Sequence, residues 1–421
     1  MNNNVLIIVR DFIPYFSSLG GVIRMLKLAE YLSQKEYNVT ILCAKGRPIN
    51  YFGYEEIISK LNIIYLEDSL QYYYTSSILN TNNKKNSLRK ILTTIKQFFD
   101  EFSIPDKGIY FAFKFYKKAL SLINEHDIST VIVSSPPHST QIIGFMLKLR
   151  LGKKIKYIID YRDGWNTLKI FRKKIGILNN ISKYLEKKIL NKADHILCVS
   201  FPLQKKITQQ ILNIMDKSTV VMNGYDLEMK KNPRENIKKD NSVLNISYFG
   251  AINDYKSSFR NPVSFLEVLN KFTGAICLNM YGAIHINKNW NSILKSKLKV
   301  YGNLSHDEAV AEMEKADLLV VFHSQVEDAD EVIPGKIFEY ILAEKPILIV
   351  GPQEFAAAEI VKKYQFGYVM NIFDSNDMLF QLNKIYSDWK NKKLISYRAS
   401  EIFSRQFQYE KILKLLKANN Y

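Results

Sequence analysis

The sequence has few cysteines, and no cluster of potential metal ligands. Its three cysteines, Cys43, Cys198 and Cys277, stand far apart inside apolar, strand-like segments. This pattern predicts buried, reduced thiols rather than a disulfide framework. Because no Cys and His residues occur at ligand spacing, a structural zinc site is not expected either.

Long apolar runs are also absent. No segment approaches the ~20 uninterrupted apolar residues that a helix needs to cross a bilayer. The first residues, MNNNVLIIVRDF, pass from a short strand-like run into charge and do not resemble a signal peptide. We therefore expect a cytoplasmic protein.

Acidic residues are scarce relative to basic ones. The 421 residues include 59 Lys and Arg against 41 Asp and Glu, a formal net charge of +18. This excess suggests a polyanionic partner: nucleic acid, an anionic membrane or phosphate-rich substrates. Lys greatly outnumbers Arg, and both Asn and Ile are abundant. The amino-acid usage of an AT-rich genome is therefore a second explanation of the basic excess. The excess is concentrated in the first half, in KLRLGKKIK and FRKKIGILNNISKYLEKKILNK.

Short apolar runs alternate with amphipathic segments, which predicts two doubly wound parallel sheets. The strand-like runs are VLIIVR, NVTILCA, NIIYL, TVIVSSPP, KYIIDYRD, HILCVS and TVVMNG, then LNISYFG, AICLNMYG, LKVYGNL, LLVVFH, PILIVG and GYVMNIF. We predict Rossmann-like domains over 1–227 and 243–400, a Lys- and Asn-rich linker over 228–242, and a C-terminal helix within 401–421. Ligands are expected at the C-terminal ends of the strands, in a cleft between the domains.

Residues 70–120 depart from this alternation and mix Tyr, Phe and Lys. One interpretation is a membrane-facing insertion, with aromatic rings at the interface and lysines at lipid headgroups. The other is a helix pair that packs on the sheet and keeps its lysines in water.

Several polar residues follow the strand-like runs of the first half. Gly20 and Gly21 open a helix, which suits a close approach of backbone to phosphate or sugar. His138 precedes a helix and is either a cap, a loop residue or a ligand contact. In DYRDGW, Arg162 and its two neighbouring acids, Asp160 and Asp163, form either a structural ion pair or a polar cluster in which Asp163 orients or deprotonates a hydroxyl.

The second half contains a stronger pattern, EVIPGKIFEY. Pro334 and Gly335 precede a helix predicted over 336–344, whose unpaired N–H groups and dipole favour a phosphate, and Lys336 adds a cation. Glu331 and Glu339 flank this turn, although each alone could be an ordinary solvated acid. Upstream, the segment after YFG contains Asn253, Lys256 and Arg260, and a guanidinium there could clamp a diphosphate bidentately.

The sequence resembles bacterial retaining glycosyltransferases of family 4 in a combination of motifs: the Gly-Gly turn after the first strand, SSPPHS, DYRDGW, VSFPL, NGYD, YFGAI, YGNLSHDEAVAEMEKADLLVV and EVIPGKIFEYILAEKPIL. The resemblance covers about residues 5 to 415 and is weakest over 50–120. Glu331 and Glu339 match the family's E-x7-E signature. It implies the GT-B fold, a nucleotide-diphosphate sugar as donor, no cofactor and no bound metal, in capsule, O-antigen or exopolysaccharide assembly.

The resemblance also implies roles for single residues. Cations must stabilise the departing diphosphate, Glu339 would bind the ribose hydroxyls and Glu331 the donor sugar. The catalytic candidates are Asp163, Arg260, Lys336 and Glu331. The donor-binding candidates are Gly20, Gly21, Gly250, Asn253, Lys256, Arg260, Pro334, Gly335, Lys336 and Glu339, and those on the acceptor side are His138, Arg162 and Asp163.

This chain departs from the family's pattern at two places. Arg162 and Asp163 stand where many relatives have a histidine that contacts the sugar. The segment GAINDYKSSFRNP lacks the usual Arg followed by Lys-Gly, so either Lys256 or Arg260 meets the diphosphate; Pro262, at a helix start, favours Arg260.

The expected partners are a lipid-linked or oligosaccharide acceptor and the anionic inner face of the cytoplasmic membrane, with no nucleic acid. Two other functions stay open: a sugar-nucleotide epimerase of the same fold, and a basic nucleic-acid-binding protein. Asp328 and Asp330 spell a D-x-D metal signature. That spacing is common in acidic loops, so we do not expect a metal site there.

Overall fold

The computed structural model forms two compact units. They comprise Met1–Met222 with Tyr409–Tyr421, and Asn223–Gln408. The structure describes residues 3–16, 19–46, 48, 54–68, 101–211, 214–227, 242–255, 258–287, 289–324 and 328–418. Nearly all of the predicted linker, residues 70–100 of the unusual segment, and Lys256 lie outside the described residues.

The first unit is built on a seven-stranded parallel sheet in the order β3-β2-β1-β4-β5-β6-β7. All seven predicted runs form strands: β1 (Asn4–Ile8), β2 (Asn38–Lys45), β3 (Asn62–Glu67), β4 (Thr130–Ser135), β5 (Lys156–Tyr161), β6 (His195–Cys198) and β7 (Ser218–Val220). Its helices are α1 (Leu19–Gln34), α2 (Glu55–Ser59), α3 (Ile109–Glu125), α4 (Ser139–Leu151), α5 (Gly176–Lys192) and α6 (Phe201–Gln210). Apolar clusters cover both faces of the sheet, which is why its strands read as continuous apolar runs.

Helix α3 combines features of both interpretations of its segment. Ala112, Phe115, Ala119, Leu122 and Ile123 are buried in the core, as expected of a helix that packs on the sheet. Its other side exposes aromatic rings to solvent, with Tyr110 60% and Phe113 56% exposed.

The second unit has the same topology, with six parallel strands in the order β12-β10-β8-β13-β14-β15. The predicted runs form β8 (Leu244–Phe249), β10 (Ile276–Tyr281), β12 (Leu298–Tyr301), β13 (Leu318–Phe322), β14 (Ile347–Gly351) and β15 (Gly367–Asn371), and β9 (Ile252–Asn253) pairs with β11 (Ile284–His285). Its helices are α7 (Val263–Lys271), α8 (Asn289–Leu294), α9 (His306–Lys315), α10 (Lys336–Leu342), α11 (Ala356–Lys363) and α12 (Ser375–Lys390). Helix α10 ends two residues earlier than predicted, because Glu344 adopts a positive φ of 53°.

The last helix, α13 (Arg405–Lys417), begins in the second unit and continues into the first. At its start, the Arg405 N–H donates to the Tyr225 carbonyl at 2.8 Å. A Cβ on Gly224 would lie 2.6 Å from the Arg405 nitrogen, so only glycine fits this approach. Further along, Ile412 and Leu413 are buried in the core of the first unit.

Within the described residues, no helix is both long and apolar enough to cross a bilayer.

A buried ion pair joins α1 to β5 in the first unit. The Arg24 guanidinium donates to Asp160 at 2.7 Å, and both side chains are at most 1% exposed. The Ser134 hydroxyl donates to the same carboxylate at 2.8 Å. Asp160 is therefore committed to Arg24, which corrects the alternative in which it pairs with Arg162.

Arg24→Met is expected to lower the free energy of unfolding by about 3 kcal/mol or more, because it leaves the Asp160 carboxylate buried without its counter-ion. Lys27→Met is the matched control on the same helix, since Lys27 pairs with the partly exposed Glu30, and should cost less than about 1 kcal/mol. Urea denaturation of both variants measures the difference. Equal losses would show that the buried pair has no special structural role.

Candidate active site

The second unit places its candidate residues at the topological switch point of its sheet. Strands β8 and β13 are neighbours, but the chain leaves β8 towards β10 and leaves β13 towards β14. Ligands of open parallel sheets bind in the crevice outside such strand ends. Gly250 follows β8 and His323 follows β13.

The segment that carries Arg260 is fixed to the end of β13. The Ser324 N–H donates to the Phe259 carbonyl at 2.9 Å, and the Asn261 N–H donates to the Ser324 hydroxyl at 2.7 Å. Helix α7 begins directly afterwards, as predicted from Pro262. The Arg260 side chain is exposed and its guanidinium hydrogen-bonds to the Tyr248 hydroxyl. Arg260 thus has a fixed backbone and a side chain within reach of a ligand.

Lys336 lies beside it, at the start of α10. Its ammonium group donates to the Phe249 carbonyl at 2.6 Å and stands 3.6 Å from the centre of the Tyr248 ring. Burial, and secondarily the charge of Arg260, lower the pKa of Lys336 well below its usual range, while Glu339 opposes the shift. A Cβ on Gly250 would lie 3.2 Å from the ammonium nitrogen, and the φ of Gly250 is 120°. The positive φ therefore favours glycine at this position, and a Cβ would in addition crowd the ammonium group.

Arg260 and Lys336 together are a candidate site for an anion. Among the described residues, no carboxylate forms a salt bridge with either of them. Two neighbouring cations repel each other, and a bound anion relieves that repulsion. Two phosphates of a diphosphate would match two adjacent cations.

The start of α10 offers fewer unpaired amides than the sequence predicts. The N–H groups of Ile337 and Phe338 donate to the carbonyls of Pro334 and Gly335, at 3.1 and 3.2 Å. In the part of the chain that the structure describes, no backbone carbonyl accepts a hydrogen bond from the N–H of Gly335 or Lys336. Pro334 is buried and Gly335 is exposed, so the accessible amides are at the turn.

Glu339 and Glu331 have different environments. Glu339 lies on the first turn of α10 and is exposed. Neighbouring protein groups partly desolvate its carboxyl and raise its pKa, while His306, Arg405 and Lys336 act in the opposite direction. Glu331 is only 1% exposed, in a 3₁₀ turn over Ala329–Glu331. Glu339 is therefore the carboxylate that shares charge interactions with Lys336.

Asn253, the last residue of β9, shapes the turn that follows this strand. Its side-chain oxygen accepts from the Tyr255 N–H at 3.1 Å. Near the D-x-D sequence, the described residues contain no group of three or more His, Cys, Asp or Glu side chains that could hold a metal ion.

Two histidines of this site were not identified from the sequence. His306, the first residue of α9, acts electrostatically on Glu339. His323 stacks on Phe355, with ring centres 4.2 Å apart, and burial lowers its pKa to about 4. It is therefore neutral at physiological pH. His323 directly follows LLVVF, so inspection of every strand end would have found it.

The first unit has a second polar site at its own switch point, between the ends of β1 and β4. Arg10 and Asp11 follow β1, and the Arg10 guanidinium forms an ion pair with Asp68 at 2.7 Å. Burial raises the pKa of Asp11 to about 6, although Arg10 and Arg162 oppose the shift. Asp11 was not predicted from the sequence, because a single acid after a strand carries no pattern.

His138 occupies an aromatic pocket at this site. Its ring stacks on Trp165, with centres 5.6 Å apart, and meets the edge of Phe171 at 4.8 Å. It is 2% exposed, and neither ring nitrogen has a hydrogen-bond partner among the described residues. Burial lowers its pKa to about 4. His138 therefore presents a neutral imidazole that can still accept or donate one hydrogen bond.

Arg162, Gly21 and Asp163 complete the site in the first unit. The Arg162 guanidinium donates to the carbonyls of Ser135 and Pro136, and a Cβ on Gly21 would overlap it. Gly21 thus makes room for an arginine, and Gly20 lies beside it in α1. Burial raises the pKa of Asp163, with Arg162 opposing the shift.

A buried network fixes this part of the chain to α5. The Trp165 indole donates to Ser182 at 2.9 Å, and the Asn166 side chain donates to Glu186 at 2.6 Å. The Tyr161 hydroxyl donates to the same glutamate at 3.0 Å. Helix α5 therefore sets the position of the ring on which His138 stacks.

Comparisons with known proteins agree with the fold of this chain. The solved structure of Anabaena Alr3699/HepE in complex with UDP and glucose is 12% identical, covers 99% of this chain and 100% of that one, and superposes with a TM-score of 0.62. This likeness confirms the predicted GT-B class, with two parallel-sheet α/β units.

Two curated proteins also match parts of the sequence. The putative teichuronic acid biosynthesis glycosyltransferase TuaH of Bacillus subtilis is 24% identical over 242 residues, which are 54% of this chain and 57% of TuaH. The RecBCD enzyme subunit RecB of Buchnera aphidicola is 27% identical over 175 residues, 39% of this chain but 14% of RecB. The chain thus spans just over half of TuaH and a small part of RecB.

A family model described as Glycosyltransferase Family 4 matches residues 19–229, half of the chain. The match includes the glycine turn, SSPPHS and DYRDGW, which carried the resemblance in the first half of the sequence. The chain therefore belongs to glycosyltransferase family 4.

Proposed function

We propose that the protein is a retaining glycosyltransferase of cell-surface polysaccharide biosynthesis, peripheral on the cytoplasmic face of the membrane. It transfers a hexose from a nucleoside diphosphate donor to a lipid-linked saccharide. The observation that carries this proposal is the pair of adjacent cations, Arg260 and Lys336, at the switch point of the second unit. The name of TuaH and the UDP in the HepE structure agree with it.

In this proposal the second unit binds the donor. Arg260 and Lys336 contact the diphosphate and stabilise the charge that develops on it as the glycosidic bond breaks. Glu339, which reaches solvent beside Lys336, accepts hydrogen bonds from ribose hydroxyls. Glu331 contacts the donor sugar. The two cations take the place of a divalent metal ion, so the reaction needs no metal.

The first unit binds the acceptor. His138 and Asp163 supply polar atoms for sugar hydroxyls, and Arg162 holds the Asp163 region in place. A neutral imidazole suits this role, because it exchanges hydrogen bonds with hydroxyl groups without adding charge.

The experiment that tests the function has two stages. Thermal-shift measurements against a panel of nucleotide sugars should identify a donor through ligand stabilisation. Transfer to a lipid-linked saccharide should then keep the anomeric configuration of the donor by NMR and continue in EDTA. Conversion of the donor without an acceptor would indicate an epimerase instead. Salt-dependent binding to plain duplex DNA, without any turnover, would indicate a nucleic-acid-binding protein.

Substitutions should separate donor binding from chemistry. Glu339→Ala should weaken donor binding about 10- to 100-fold through the loss of hydrogen bonds to a charged acceptor. Arg260→Ala should lower kcat about 10²- to 10³-fold, as expected for removal of a group that stabilises developing charge. Initial rates and donor titrations measure the two effects, and Lys384→Ala, at an exposed position on α12, is the control. Full turnover in both variants would contradict the assignment of the site.

Donor binding should also be coupled to proton uptake through Lys336. In the free protein its pKa lies below the usual value, so the neutral form gains population as the pH rises. A bound diphosphate favours the ammonium form and raises this pKa. Donor affinity should therefore fall as the pH rises through the lowered pKa, with uptake of up to one proton per nucleotide.

Isothermal titration in buffers of different ionisation enthalpy measures this uptake. Lys336→Met should abolish the uptake and the alkaline decrease in affinity. If both persist in that variant, another group titrates.

A further inference from the structure

Helix α5 of the first unit exposes a row of large apolar side chains. Ile177 is 70% exposed, Ile181 48% and Tyr184 62%. Their spacing of four and three residues places them on one side of the helix, and Lys188 continues the row. Its ammonium group lies 5.2 Å from the centre of the Tyr184 ring. We call Ile177, Ile181 and Tyr184 the apolar stripe.

Other exposed apolar residues lie next to the start of this helix. Ile170 is 55% exposed and Ile175 41%. The Ile175 N–H donates to the Glu101 carboxylate at 2.8 Å, which brings the 49% exposed Phe102 to the same region. The Ser103 hydroxyl donates a hydrogen bond to the Tyr110 hydroxyl at 2.9 Å. This contact connects the exposed rings of α3 to the apolar surface at the start of α5.

The surroundings of the stripe are strongly basic. Residues 164–192 contain eight basic residues and a single acid, Glu186, which is 2% exposed and points into the unit. The basic residues are Lys169, Arg172, Lys173, Lys174, Lys183, Lys187, Lys188 and Lys192. The exposed side of α5 therefore combines apolar side chains and positive charge, and the Glu101 carboxylate, at the start of the helix, is an acid beside it.

We propose that α5 and the exposed residues at its start dock the protein on the interface of an anionic membrane, with the apolar stripe among the headgroups and the lysines on lipid phosphates. A helix with an apolar side and flanking lysines lies in the plane of such an interface. Lysine is depleted at protein–protein interfaces, so its abundance here favours a lipid surface over a protein partner. Docking of this kind requires no membrane-spanning helix.

The buried side of the same helix explains why this surface would matter for catalysis. Ser182 and Glu186 hold Trp165 and Asn166, and Phe171, which packs on His138, is adjacent to the exposed Ile170. A membrane in contact with α5 would therefore lie next to the pocket of His138. This step rests on the proposed function, in which that pocket receives a lipid-linked acceptor.

Sedimentation with lipid vesicles tests the docking surface. The double variant Ile177→Glu with Ile181→Glu should bind phosphatidylglycerol vesicles at least about tenfold more weakly than the unmodified protein, because it places two carboxylates in the stripe. The variant with Lys183, Lys187 and Lys188 replaced by Ala should lose about fivefold for each lysine. Phe380→Glu, at a 66% exposed position on α12, is the matched control and should bind normally.

Unchanged vesicle binding in both α5 variants would overturn the proposal, as would equal binding of the unmodified protein to phosphatidylcholine and phosphatidylglycerol vesicles. The proposal would also fail if the α5 variants lost self-association or DNA binding while their vesicle binding did not change. The thermal shift caused by a nucleotide sugar, measured on the same variants, should be retained, which shows that they are folded. If vesicles bind as predicted but no nucleotide sugar produces a shift, the docking surface stands and the proposed function fails.

Discussion

The central constraint in this structure is the confinement of two cations at the end of one strand. Lys336 is held against the Phe249 carbonyl and the Tyr248 ring, and Arg260 bonds to the hydroxyl of that same ring. Burial and, secondarily, the charge of Arg260 lower the pKa of Lys336, while Glu339 opposes the shift, and a bound anion would favour the ammonium form further. Each contact comes from the end of β8, which makes the position of this strand decisive for the site.

Much of the fold could be predicted from the sequence, because a parallel sheet covered on both faces requires apolar strands. All thirteen predicted runs form strands for this reason. Candidate site residues could be selected from the sequence only where they carry a local pattern, as in EVIPGKIFEY. Asp11, His306 and His323 were missed because each is one residue beside a strand or helix end. Whether such a residue lies at a candidate site depends on which strands are neighbours in the sheet, and that order is a tertiary property.

Buried polar residues posed a different problem. The sequence alone allowed Asp160 either to pair with Arg162 or to belong to a polar cluster at a cleft, since the two residues are close in the chain. The structure pairs Asp160 with Arg24, 136 positions away, and places Arg162 against Gly21 instead. Long-range pairing of this kind has no local signature, so it could not be read from spacing.

The two units share one topology, and the residues that follow equivalent strands give their switch points different chemistry. After β8 and β13, the second unit places cations that suit a diphosphate. After β1, β4 and β5, the first unit places the neutral imidazole of His138 and two carboxyls, Asp11 and Asp163, whose pKa burial raises. A neutral donor and acceptor such as this imidazole suits sugar hydroxyls, because it forms hydrogen bonds without the cost of desolvating an ion. The same sheet order can thus serve a charged and an uncharged ligand through a few residues at its strand ends.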